Sequence, residues 1–267
     1  MKSTFVLSIL LLWQVDCFAQ TTPSDLFHEL GLKGSTTVYD YKNKKWFFTD
    51  SADARRLTLP ASTFKIINSL IALETGAIKG ADEIFKWDGQ ERTIFGGTPV
   101  PAWNQDTDLR SAYKNSTIWF YVELAKRIGR KKYRSYLKKS GYGNGDFSEK
   151  GTDFWNYGEF GISPMNQINF LVCLYEGNLP FSGSVMNTVK SIMVSESNSD
   201  FTYRDKTGWT TKDGQDIGWW VGYLQTKNNI YFFATRISKS TDTTNPDFSS
   251  ARKMITKQIL QKVIESD

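Results

Sequence analysis

The chain has 267 residues, enough for one large domain or two modest ones, with 40% hydrophobic and 15% aromatic residues. That apolar content excludes a disordered chain, and a single histidine, His28, excludes a zinc site built from several His and Cys ligands. A formal net charge of +5 points only weakly toward anionic substrates or surfaces.

Met1-Lys2 precedes the apolar run Phe5–Trp13, and Phe18-Ala19-Gln20 then leads into polar Thr21–Ser24. This is the layout of a signal peptide over residues 1–19. Residues 20–267 are then expected as a single exported, periplasmic domain without stable membrane insertion. Cleavage would leave Cys173, inside Phe170–Tyr175, as the one cysteine, expected to be buried as a small hydrophobe.

After a short first helix carrying His28, Ser35–Tyr41 alternates as a strand, Lys42–Lys45 turns, and Trp46–Thr49 returns. Pro60 and Gly76 bracket a helix that is apolar nearly all round and therefore expected to be buried. Helices are expected at Ile118–Ile128, at Tyr133–Leu137 with a stop at Gly141, and at Pro164–Leu174. Strands follow at Tyr203–Thr211, Ile217–Thr226 and Asn229–Ile237, with Lys227-Asn228 as a tight hairpin turn. An amphipathic helix over Ser249–Val263 closes the chain. The expected fold class is α+β, an antiparallel β-sheet flanked by helices. The sheet-and-helix part covers about 20–76 and 190–267, with a mostly helical inserted subdomain over about 77–189. The cationic run from Lys126 to Lys139 reads as a solvated helix face rather than a nucleic-acid patch.

With imidazole confined to a peripheral helix and no phosphate loop or dinucleotide fingerprint present, a nucleophile here needs lysine or a carboxylate as its activator. Ser62 and Lys65 are three residues apart and so share one helical face. In a first turn, the serine oxygen lies near unpaired N–H groups and the positive end of the helix dipole. Apolar Phe64, Ile66, Ile67 and Leu70 predict a dry setting that drives the amine toward its neutral form. Lys206-Thr207-Gly208 on a strand would offer a cation, a hydroxyl and an approachable backbone at a cleft rim. Each feature has a plainer reading on its own: chance spacing, a strand with a glycine bulge, a helix cap at Ser116-Thr117-Ile118, a turn at Tyr142-Gly143-Asn144.

Taken in order, Ser62-Thr63-Phe64-Lys65, Ser116-Thr117-Ile118, Tyr142-Gly143-Asn144, Phe154-Trp155 and Lys206-Thr207-Gly208 form a pattern. Gly218-Trp219-Trp220-Val221-Gly222 and Arg252 with Ile255-Thr256-Lys257 complete it. Over essentially the whole mature chain it resembles the class D, oxacillinase-type serine β-lactamases, relatives of the penicillin-binding enzymes. The resemblance implies a β-lactamase/transpeptidase-like fold and hydrolysis of β-lactam antibiotics through an acyl-enzyme on Ser62. It implies that Lys65 is carboxylated by carbon dioxide, as N6-carboxylysine, to serve as general base, with no metal and no other cofactor. Trp155 would hold the carbamate, and Ser116 would relay a proton near Lys206. The backbone N–H groups of Ser62 and Trp209 would form the oxyanion hole. Ile118, Lys206, Thr207, Gly208 and Arg252 would line or bind the substrate. The implied partners are small-molecule β-lactams, with no nucleic acid, and the chain is a monomer or homodimer. Two departures stand out: Ile118 where the family usually has valine, and Asn156-Tyr157-Gly158 where it commonly has leucine, an acidic residue and glycine. They are expected to reshape the loop after Trp155 and water access to the site. The rival reading is a penicillin-binding D,D-peptidase or a β-lactam sensor domain that acylates without efficient turnover.

Overall fold

A computed structural model describes residues 25–94 and 97–266; the expected signal peptide lies outside the described residues. In chain order the elements are α1 (Asp25–Glu29), β1 (Lys33–Asp40), β2 (Lys45–Phe48), α2 (Lys65–Glu74), α3 (Leu109–Asn115), α4 (Ile118–Ile128) and α5 (Arg130–Lys139). There follow α6 (Pro164–Glu176), α7 (Gly183–Ile192), β3 (Val194–Ser197), β4 (Phe201–Lys212), β5 (Gln215–Thr226), β6 (Ile230–Ser240) and α8 (Phe248–Glu265). The strands form one six-stranded antiparallel sheet in the order β2-β1-β6-β5-β4-β3. Pairing of β1 with β6 brings the two ends of the chain into one sheet.

Both faces of the sheet are covered, which explains why β5 and β6 read as continuous apolar runs. Along each strand the side chains alternate between two cores. Trp219, Val221, Phe232 and Ala234 join the core under the inserted helices. Trp220, Phe233 and Ile237 join Phe248, Ile255 and Ile259 of α8 on the opposite face. Helix α2 lies in the first core, buried from Lys65 to Ala72. Full burial of each large apolar side chain contributes about 1.5–3 kcal/mol, so this helix is anchored by packing on all sides.

The structure departs from the sequence reading in particular places. The segment Ala61–Phe64 is a 3-10 turn, and the α-helix begins only at Lys65. Pro60 explains this: its carbonyl accepts the Thr63 N–H at 3.2 Å and the Thr63 hydroxyl at 2.6 Å, closing a three-residue turn. Helices α3 and α7 and strand β3 were not foreseen. Strand β3 is exposed throughout, so it carries no apolar alternation to read. Helix α3 is seven residues long and is started by Asp108, whose carboxylate accepts the Ser111 N–H at 2.7 Å. Cys173 is half-buried beside the core rather than fully inside it. Most of the cationic run is exposed on α4 and α5, but Arg130 is turned inward. Its guanidinium donates to the carbonyls of Phe147, Glu149 and Gly151 and so fastens a loop.

Candidate active site

Ser62 sits on the 3-10 turn, and the Lys65 ammonium donates to its Oγ at 2.7 Å. Lys65 is 1% exposed. Its burial, with the positive charge of Lys206 nearby, pushes the amine well below the usual lysine range, against a smaller opposing pull from Asp153. The side chain lies 5.1 Å from the centre of the Tyr121 ring, whose hydroxyl is 3.0 Å from Ser69 Oγ. Ala61, just before Ser62, holds φ at +52°, a left-handed value uncommon for a residue with a Cβ. Its N–H donates to the carbonyl of Trp155 at 3.1 Å.

Strand β4 packs directly on this turn. A Cβ at Gly208 would lie 3.0 Å from Pro60 O and 3.2 Å from both Ala61 Cβ and Thr63 Cγ2, so a larger residue enters only if the turn or the strand gives way by a few tenths of an ångström. Gly208→Ala is expected to cost about 1–3 kcal/mol through overpacking and to lower kcat/KM at least ~10-fold by shifting β4. Thermal unfolding and steady-state kinetics check the two effects. Lys206 is buried, donates to the Thr207 carbonyl at 3.1 Å, and is pushed down to about 7 by burial and by Arg252 and Lys253, against an opposing pull from Asp205. Arg252, on α8, is buried and donates to the carbonyl of Gly208 at 2.6 Å. Its Nε–H has no partner among the described residues, and burial brings it to about 10, still a cation at neutral pH. The Trp209 ring packs on Phe248, on the α8 side of the strand.

Helices α3 and α4 each set a tyrosine against one of the two lysines. Ser116-Thr117-Ile118 lies at a helix start, as read from the sequence: Thr117 is the N-cap of α4 and Ile118 its first residue, while Ser116 is also the left-handed residue, φ +57°, that closes α3. Tyr113, three residues before Ser116, lies under Lys206 at 5.6 Å and donates from its hydroxyl to Asp205 O at 3.0 Å. Tyr121, five residues after it, lies against Lys65. Ser116 is half-buried and Ile118 is 38% exposed at the start of α4.

Trp155 comes from the loop between α5 and α6. Its indole stacks on Phe64, the residue before Lys65, at 4.9 Å and 7°, and is 1% exposed. Its N–H is buried without a partner among the described residues. Such a group costs about 1–3 kcal/mol unless something accepts its hydrogen bond. The Tyr142-Gly143-Asn144 segment clamps this loop rather than touching the lysines. Asn144 exchanges bonds with Gly161 and donates to Glu159 O. Gly143, φ +74°, leaves no room for a Cβ against Phe160.

The structure thus joins Ser62 and Lys65 directly and sets Gly208 and Trp155 against their turn, through Pro60, Ala61 and Thr63 and through Ala61 and Phe64 respectively, with the positive charge of Lys206 lowering the Lys65 pKa. Arg252 joins them through the backbone of Gly208. A cavity of about 680 Å³ lies elsewhere, beside β1, β5 and β6, where Arg236 pairs with Asp53 and Lys212 with Glu159. It contains no nucleophile–base pair. His28 is exposed on α1. No cluster of three or more His, Cys, Asp or Glu side chains suited to a metal ion occurs among the described residues.

The penicillin-binding protein transpeptidase domain family matches residues 34–261. Beta-lactamase OXA-20 of Pseudomonas aeruginosa is 41% identical over 241 residues, 89% of this chain and 85% of that protein. The chain belongs to the class D β-lactamases. A crystal structure of the class D β-lactamase from Sebaldella termitidis has a TM-score of 0.85 and 40% identity, covering 92% of this chain and 96% of that one. The regulatory protein BlaR1 of Bacillus licheniformis is 37% identical over 216 residues, 80% of this chain but only 35% of that longer protein. Within this class D fold, sequence reasoning missed Tyr113, Tyr121 and Asp153 as neighbours of the two lysines. No local motif marks them, since Tyr113 meets Lys206 across α3 and β4, Tyr121 meets Lys65 across α4 and α2, and Asp153 acts on Lys65 from the loop between α5 and α6.

Proposed function

We propose that this chain hydrolyses β-lactam antibiotics through an acyl-enzyme on Ser62, with Lys65 carboxylated as the base. The observation that carries the proposal is the buried Lys65 amine at 2.7 Å from Ser62 Oγ, next to a residue whose partner, Trp155, has a buried N–H lacking an acceptor. A protonated lysine donates to serine and cannot take its proton. Desolvation favours the neutral amine, whose nitrogen lone pair can bond to the carbon of CO2 with loss of one proton. The resulting carbamate supplies an anionic oxygen base, and Trp155 N–H is a donor suited to hold it.

In this reading Ser62 Oγ attacks the lactam carbonyl as its proton passes to the base. The oxyanion is held by the N–H groups of Ser62 and Trp209, a kind of donor worth about 3 kcal/mol each. The C–N bond breaks and the ring nitrogen takes a proton through Ser116, beside Lys206. Thr207 and Arg252 bind the substrate carboxylate, a task suited to the paired donors of a guanidinium, and Ile118 borders the site. Water then attacks the ester, giving its proton to the base, and Ser62 leaves with its hydroxyl restored. The mature protein is expected to turn over a chromogenic cephalosporin continuously, with Ser62→Ala inactive. A single stoichiometric burst would instead support the reading as a sensor domain or D,D-peptidase. We also read residues 1–19 as a leader for export to the periplasm, which N-terminal sequencing of the mature protein checks.

The pH profile gives a further expected outcome. Lys206 near 7 would lose its charge as pH rises, weakening anion binding on the alkaline side. An anionic carbamate on Lys65 would stabilise the Lys206 ammonium and raise its pKa. Added bicarbonate is therefore expected to move the alkaline limb of kcat/KM upward by about one unit. An unmoved limb would separate Lys206 from the base.

A further inference from the structure

The Lys206-Thr207-Gly208 motif is part of a longer face of β4. Side chains alternate along a strand, so Lys206, Gly208, Thr210 and Lys212 share one side, while Trp209 packs on Phe248 and Thr211 bonds Asp216 on the other. Gly208 meets the turn that carries Ser62. Thr210, 5% exposed, donates from Oγ1 to the carbonyl of Asn156 at 3.0 Å. Lys212 donates to the carbonyl of Gly158 at 3.0 Å. The carbonyl of Trp155 itself is taken by Ala61 N–H. The peptide following the indole is therefore held from two sides, by the nucleophile turn and by β4. Tyr157, in the same stretch, is 58% exposed and gives the loop no inward anchor.

We propose that Thr210 is a positioning residue for Trp155 and thereby sets how tightly Lys65 retains carbon dioxide. It touches neither substrate nor base; it acts through the Asn156 carbonyl on the indole donor. The inference rests on the reading of Lys65 as a carboxylated lysine. It also links the substrate-facing strand to the base, since Gly208 and Thr210 lie two residues apart on one face.

The test is the bicarbonate dependence of Thr210→Val, which keeps the shape and removes the hydroxyl, beside Thr210→Ser, which keeps it. In Thr210→Val the bicarbonate concentration giving half-maximal activity is expected to rise roughly fivefold. The carbon-13 carbamate signal at limiting bicarbonate should fall in parallel. Saturating bicarbonate should restore kcat to within about twofold of the wild type, because the chemistry itself is intact, and Thr210→Ser should behave as wild type. Should valine prevent folding, Thr210→Ala carries the same expectation. A valine or alanine variant with wild-type bicarbonate dependence overturns the proposal, as does a loss of activity that bicarbonate does not rescue. A wild-type protein without any carbon-13 adduct would instead overturn the reading of Lys65.

Discussion

Lys65→Ala is expected to leave a protein that is acylated slowly and then stops, with deacylation slowed by about 10²–10⁴-fold, the usual worth of a positioned general base. The side chain is buried between Ser62 Oγ and the Tyr121 ring, and no second amine touches the serine among the described hydrogen bonds. Lys206, the other buried lysine, is directed to the Thr207 carbonyl. Single-turnover mass spectrometry would show a stable acyl adduct on Ser62, and steady-state hydrolysis would fall to a stoichiometric burst. Normal turnover in this variant would remove Lys65 from the base role. Arginine in its place should not rescue, since a guanidinium stays protonated and cannot take up CO2.

Trp155→Phe separates the indole N–H from the indole's packing. Phenylalanine keeps a ring against Phe64, Phe154 and Tyr133 but offers no donor. A hydrogen bond to an anion is worth about 1.5–3 kcal/mol. Bicarbonate affinity is therefore expected to drop roughly ten- to hundredfold, with activity recovered as bicarbonate is raised. Trp155→Ala removes the packing as well and should destabilise the fold by about 3–5 kcal/mol. Calorimetry and bicarbonate titration distinguish the two variants. Unchanged bicarbonate dependence in Trp155→Phe would mean that the orphaned N–H has another purpose.

Much of this architecture was legible because the chemistry and the fold share local signals. Alternation in β1 and the apolar runs of β5 and β6 pointed to the sheet, and the apolar run after Lys65 pointed to a buried helix and a dry amine. The lowered basicity of Lys65 follows mainly from that burial, with the charge of Lys206 adding to it. What could not be read is long-range. The helix start at Ser116-Thr117-Ile118 was legible, but not that Ser116 also closes α3 in a left-handed conformation, because α3 itself was not foreseen. Arg130 looked like one more surface cation and instead ties down a loop by its carbonyls. The Tyr142-Gly143-Asn144 motif resembled part of the site and is its scaffold. Thr210 carried no signal, because its partner is a backbone carbonyl 54 residues away.

The decisive measurement is carbon-13 NMR of the protein in labelled bicarbonate at neutral pH, with hydrolysis followed on the same sample. A single carbamate resonance is expected, absent in Lys65→Ala. It should be lost together with activity as acid protonates the amine, and regained on return to neutral pH with bicarbonate. Rapid β-lactam hydrolysis by a sample that shows no adduct on Lys65 would contradict the proposed base.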